Sequence, residues 1–128
     1  MNVQEVMTRD VITMTPKTTI IQAIDLLIDN RISGAPVLKE DGTMAGIISE
    51  KDLMVPLDFF GKKKTGDDCV GEFMAKNVTT FSEDASIEEV METLVTQGIK
   101  RVPIVKDNKV VGIVSRRDIL KYIRKNHS

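Results

Sequence analysis

The chain has 128 residues, 41% hydrophobic and 29% charged, with a net charge of −1. That is enough for a domain with a real core, and it supplies no global field to recruit nucleic acid or anionic membrane. Four Phe, one Tyr and no Trp leave few rings for single-strand stacking, and a lone cysteine, Cys69, excludes an intrachain disulfide.

The predicted elements run as follows. Met1–Asp10 has neither a basic region nor an apolar one, so a secretory signal is not expected. Val11–Met14 is β-prone. An amphipathic helix follows, opened by the capping-box pattern Thr19-Ile20-Ile21-Gln22, with Ile20, Ala23, Ile24, Leu27 and Ile28 on its apolar face. Ala35–Lys39 and Met44–Ser49 read as a hairpin around Glu40-Asp41-Gly42-Thr43. A second helix starts after Ser49. Pro56 to Asp68, with Gly61, Lys62-Lys63-Lys64 and Gly66, reads as a surface loop whose lysines form a solvated face. Cys69 reads as a small hydrophobe or linker residue.

The pattern then repeats. Val3/Val70, Met7/Met74, Val11/Val78, Thr13/Thr80, Ile20/Ile87, Leu27/Leu94, Ile32/Ile99 and Pro36/Pro103 are identical at a shift of 67. After a one-residue deletion in the turn, Gly46-Ile47-Ile48-Ser49-Glu50-Lys51-Asp52 lies over Gly112-Ile113-Val114-Ser115-Arg116-Arg117-Asp118. A constant register with one indel in a turn marks an internal duplication. The second copy predicts a strand at Val78–Phe81 and a helix opened by Ser86-Ile87-Glu88-Glu89 and stopped at Gly98. A hairpin of Val102–Lys106 and Val110–Ser115 and a final helix complete it. The fold class is α/β (α+β): two β-α-β-β-α repeats, 1–56 and 69–128, joined by a linker at 57–68. One such unit buries too little apolar surface to stand alone, so the two are expected to pack together about a pseudo-twofold axis.

Chemistry concentrates at the two Ser-x-x-Asp motifs. Each serine sits where a strand becomes a helix, where backbone N–H groups and the positive dipole end can seat a phosphate. A carboxylate three residues on can accept hydrogen bonds from vicinal hydroxyls. The same spacing is also that of a helix capping box, which needs no ligand. Other chemistry is thin. His127 is the sole histidine, so no His-based triad or metal cluster can be assembled, and there is no Walker-type loop. The chain is expected not to be an enzyme.

The Val-x-Thr openings, the x-Pro-Val/Ile strands and the doubled Gly-Ile-Ile/Val-Ser-x-x-Asp endings resemble a tandem CBS-domain pair, or Bateman module. The resemblance covers about Val3 to Ile123. It implies a stand-alone regulatory module with two clefts between the repeats for adenosine-containing ligands: AMP, ADP, ATP or an S-adenosylmethionine-type ligand. On that template cleft A takes Met7, Ile12, Ile32 and Ser33 from the first copy and Lys100, Arg101, Ser115, Arg116, Arg117 and Asp118 from the second. Cleft B takes Met74, Thr79, Ile99, Ser49, Lys51 and Asp52. Lys100-Arg101 is replaced by Ser33-Gly34 in the first copy, so cleft A is expected to take the more phosphorylated ligand. No cofactor is required and no metal site is expected.

With no secretory signal and no apolar run near the ~20 residues of a membrane span, a cytoplasmic protein with no membrane role is expected. No recognition helix is evident, so no nucleic-acid partner is expected. The family precedent implies a homodimer that signals to an unknown regulated protein. Leu26, Leu53, Met54, Ile119, Leu120 and Ile123 are candidates for the dimer surface. The alternative is a constitutive dimeric interaction scaffold whose ligand clefts are vestigial.

Overall fold

A computed structural model describes residues 1–56 and 68–127. The chain divides into two compact units, a contiguous one, Ile12–Val78, and a split one, Met1–Val11 with Thr79–Ser128. The repeats and the packed units therefore do not coincide. The leading segment of each copy is built into the unit formed by the body of the other. The lysine run Lys62–Lys64, Gly61 and Gly66 fall outside the described residues.

In the contiguous unit, α1 spans Ile20–Asn30, and its capping box forms in full. Thr19 Oγ1 accepts from Gln22 N–H at 3.2 Å, and Gln22 Oε1 accepts from Thr19 N–H at 3.0 Å. Two otherwise orphaned donors are thereby satisfied. The helix stops at Arg31, whose left-handed φ of 54° turns its N–H back to Ile28 and Leu27 carbonyls. β1 (Gly34–Leu38) and β2 (Met44–Ser49) pair antiparallel, and α2 (Glu50–Met54) follows at once. The expected opening strand at Val11–Met14 is reduced to a single parallel bridge, Met14 to Val37. Thr15-Pro16 follows, and Thr18 N–H donates to Thr15 O in a tight turn, so the chain leaves the sheet immediately.

The split unit repeats the plan more completely. β3 (Phe81–Ser82) runs parallel to β4 (Arg101–Lys106), which pairs antiparallel with β5 (Lys109–Ser115). Where the first copy has Pro16, this one has Glu83, and the strand continues one residue past the position of the lone bridge, so that it covers Phe81–Ser82 where Val78–Phe81 was expected. α3 (Ile87–Thr96) begins with Ser86 Oγ accepting from Glu89 N–H at 3.0 Å. It ends before Gly98, whose φ of +63° is the left-handed stop expected there. α4 (Arg116–Asn126) closes the unit.

Each core is completed by the other copy's leading segment. Val70 is fully buried with Met14, Ile20, Leu27, Val37, Ile48 and Leu53. Val3 is fully buried with Ile87, Val90, Leu94, Ile104, Val114 and Ile119. Each such side chain contributes about 1.5–3 kcal/mol through removal from water. Two of the apolar residues proposed for a dimer surface, Leu53 and Ile119, are used up here, at 4% exposure each. They point inward because they lie three residues past Glu50 and Arg116, on the helix face turned to the hairpin. Conversely Ile28, expected on the packed face of α1, is 69% exposed.

Candidate functional site

The two Ser-x-x-Asp motifs are built alike. Each serine ends a strand in extended conformation and caps the next helix. Ser115 N–H and Oγ–H both donate to Asp118 Oδ2, at 2.8 and 3.0 Å, and Asp118 N–H returns to Ser115 Oγ at 3.2 Å. Ser49 N–H and Oγ–H donate to Asp52 Oδ2 at 3.0 and 2.9 Å, with the return bond at 3.4 Å. The capping box thus exists at both positions. It engages one carboxylate oxygen and leaves both aspartates half-buried, reachable from solvent.

The segment that precedes each motif is locked beneath it. The N–H of residue 116 donates to Lys100 O at 3.0 Å, and that of Glu50 to Ser33 O at 3.0 Å. These bonds hold the residues before β4 and β1 beside the helix starts. In the split unit, Lys100 and Arg117 are exposed, Arg101 is half-buried, and Arg116 Nε donates to Ile99 O at 3.0 Å. Arg116 is therefore spent partly on holding its own loop. Thr79, also in this unit, donates its hydroxyl to Gln97 Oε1 at 3.2 Å.

Sequence reasoning divided the site residues by copy; the fold distributes them differently. Met7 belongs to the split unit, with Thr79, Ile99, Lys100, Arg101, Ser115, Arg116, Arg117 and Asp118. It is buried at 8% exposure against Gly112, where an added Cβ would stand 2.6 Å from its sulfur. Met74 belongs to the contiguous unit, with Ile12, Ile32, Ser33, Ser49, Lys51 and Asp52, and crosses Gly46 in the same way. Each methionine thus lies in the unit of the aspartate carried by the other copy.

Thr8 was not singled out from sequence. Its hydroxyl donates to Asp118 Oδ1 at 3.3 Å, 110 positions away in the chain. Only the exchange of leading segments brings it there, and no local pattern reveals that exchange.

Two concavities lie nearby, one within each unit. Ile32 and Ser33 line a mainly apolar groove of about 530 Å³, together with Ile24, Ile28, Glu50 and Met54. Asp118 borders a smaller pocket of about 240 Å³ beside Glu5, Lys121, Tyr122 and Lys125. Among the described residues no cluster of His, Cys, Asp and Glu could hold a metal ion, and no helix is long and apolar enough to cross a membrane.

The chain matches the family model of the CBS domain twice, over residues 3–57 and 70–125. It is 36% identical over 118 residues to inosine-5'-monophosphate dehydrogenase of Methanocaldococcus jannaschii, a match covering 91% of this chain and 22% of that enzyme. This chain spans between 22% and 61% of the length of such curated relatives. Among solved structures, the CBS domain pair of protein MJ0100, in complex with 5'-methylthioadenosine and S-adenosyl-L-methionine, superposes with a TM-score of 0.85. It is 28% identical, over 98% of this chain and 97% of that one. CBSX2 of Arabidopsis thaliana, in complex with AMP, also gives 0.85, at 26% identity over 97% and 96% of the two chains. With two matches that leave only the ends and the intervening segment uncovered, the chain belongs to the CBS domain family and carries two CBS domains in tandem.

Proposed function

We propose that this chain is a regulatory module that binds an adenosine-containing ligand at its Ser-x-x-Asp motifs and signals to a partner protein. The reading is carried by its likeness, over nearly its whole length, to a CBS pair solved with methylthioadenosine and S-adenosylmethionine. The residues are chemically suited to the task. Asp118 and Asp52 each keep acceptor capacity beyond their capping bonds, for ribose hydroxyls. Lys100, Arg101 and Arg117 stand in the same unit as Asp118 and favour a phosphorylated ligand there. Cations in the first turn of α4 oppose the helix dipole, which makes that turn receptive to an anion. Lys51 is the corresponding cation beside Asp52, with Ser33-Gly34 in place of the basic pair, so a nucleoside-type ligand suits that motif better.

The module needs no cofactor and performs no catalysis of its own. It acts as a cytoplasmic homodimer, with exposed Ile28, Met54, Leu120 and Ile123 as the apolar residues a second copy would cover. The contrasting reading, a scaffold whose motifs are helix caps only, is favoured by one observation, the completed capping box at both positions.

A thermal-shift panel of AMP, ADP, ATP, S-adenosylmethionine and methylthioadenosine separates the two. A ligand at 100 times its Kd stabilises by about 2.7 kcal/mol. Asp118→Ala should weaken a phosphorylated ligand about tenfold to hundredfold, and Arg101→Ala should weaken AMP far more than adenosine. Asp52→Ala should matter less for that ligand. No stabilisation by any member of the panel establishes the scaffold.

A further inference from the structure

We infer that Thr8 sets how ribose is read at Asp118, making that carboxylate a receptor for a single hydroxyl where Asp52 can receive two. The inference rests on the adenosyl-ligand reading and adds to it a determinant of sugar specificity.

A carboxylate offers about four lone-pair directions. On Asp118, Oδ2 is engaged twice by Ser115 and Oδ1 once by the Thr8 hydroxyl. One direction is left. On Asp52, Oδ2 is likewise engaged twice, by Ser49, and among the described residues no donor reaches Oδ1. Two directions are left, both on one oxygen.

The donor responsible is rigidly placed. Thr8 N–H donates to Ile113 O at 2.8 Å and Ile113 N–H returns to Thr8 O at 2.9 Å, so Thr8 is stapled to β5 on both sides. Ala75 makes the same crossing in the other unit, exchanging two bonds of 2.9 Å with Ile47. Backbone, glycine and capping serine are all repeated; the hydroxyl alone is not. The Thr8 bond is long for an O–H donor, but the staple fixes the Thr8 backbone beside the motif, and the hydroxyl lies against Oδ1, where a second ribose hydroxyl would have to stand. A ligand carrying one free ribose hydroxyl should therefore lose little at Asp118.

The test uses the full chain with Asp52→Asn, which keeps a capping acceptor while removing the charge at the other motif. Calorimetry compares AMP, 2'-deoxy-AMP and 3'-deoxy-AMP. With Thr8 in place, at least one deoxy analogue should bind within about twofold of AMP. Thr8→Ala, which copies Ala75, should make the loss of either hydroxyl cost about tenfold. Thr8→Ser should restore tolerance, and melting temperatures should barely move among the three proteins. If Thr8→Ala binds AMP with the same discrimination as its parent, the inference is overturned while the ligand reading stands. If the parent fails to bind AMP, the inference is also overturned, and the thermal-shift panel decides separately whether the ligand reading falls with it.

Discussion

Met7 crosses Gly112 in the split unit as Met74 crosses Gly46 in the contiguous one, and in both the next residue exchanges a pair of backbone hydrogen bonds with the hairpin. The framework was duplicated faithfully; the chemistry laid on it was not. Thr8 faces Asp118, and Ala75 holds the matching position in the contiguous unit. Lys100-Arg101 replaces Ser33-Gly34, Arg116 replaces Glu50, and α4 has eleven residues to the five of α2. Val3/Val70, Met7/Met74, Ile20/Ile87 and Leu27/Leu94 kept their identity and the other core positions stayed apolar, as in Ala23/Val90, Val37/Ile104 and Leu53/Ile119, because a close-packed interior tolerates only apolar exchanges that neighbours can absorb. Glu50, Lys51, Lys100, Arg116 and Arg117 at the helix starts are exposed and were free to diverge. The comparison teaches that the split unit gathers the cations Lys100, Arg101, Arg116 and Arg117 around its motif, the difference on which the proposed preference for a phosphorylated ligand there rests.

The largest test of the shared framework is at the two glycines, where the units should respond unequally. A Cβ at Gly46 would stand 2.6 Å from the Ala75 carbonyl oxygen, which is stapled backbone. At Gly112 the nearest atom, also at 2.6 Å, is the sulfur of a flexible methionine, and the Thr8 oxygen is 3.2 Å away. Gly46→Ala should cost about 3 kcal/mol and Gly112→Ala about 1 kcal/mol, the two ends of the usual overpacking range. Denaturant midpoints measure both. Equal costs would mean that the two crossings are not built as described.

A somewhat smaller effect tests the exchange of leading segments. Val3 is fully buried among Ile87, Val90 and Leu94. Val3→Ala removes two methyl-sized groups and should cost about 2 kcal/mol. Hydrogen exchange should rise first in α3 and β4, although Val3 belongs by sequence to the first repeat. Val70→Ala should loosen α1 and β1 instead. Protection lost in the same repeat as the mutation would break the exchanged arrangement.

Much of this was legible beforehand. The duplication gave both hairpins, the four α-helices of the described residues and the Ser-x-x-Asp positions, because apolar periodicity and capping chemistry are local signals, but not the short 3-10 turns at Val3–Glu5 and Val70–Glu72. The Gly98 stop was legible for the same reason. Arg31 in the left-handed region was not, because an arginine there is held by the turn it closes rather than announced by its own preference. The opening strand of the first copy was overestimated, since Val11–Met14 is β-prone but Thr15-Pro16 turns the chain away. The exchange of leading segments, and with it the place of Met7 and Thr8, left no trace in the sequence. Val3 and Val70 are identical, and identical residues cannot say whose core they fill.

The smallest effect concerns the hairpin turns, where the two units again differ. In β4–β5, Asp107 and Asn108 turn the chain with φ of 51° and 66°, a conformation that Asn and Asp tolerate without side-chain help. In β1–β2, Gly42 takes the positive φ and Asp41 organises the turn. Its Oδ1 accepts from Thr43 Oγ1 at 2.6 Å and Thr43 N–H at 3.0 Å. These two bonds, hydroxyl first, and then nearby Lys39, hold the Asp41 carboxyl below its ordinary value of 3.8. A depressed folded-state pKa contributes stability that is present above the unfolded value and lost as pH falls through the folded one. The β1–β2 turn should therefore loosen in acid, below pH 3.8. The site is fully exposed, so the readout is spectroscopic rather than thermodynamic. The Thr43 amide resonance should titrate with Asp41, and Asp41→Asn should abolish that titration. A Thr43 amide that does not move between pH 5 and 2 would show that the turn is held by its glycine alone.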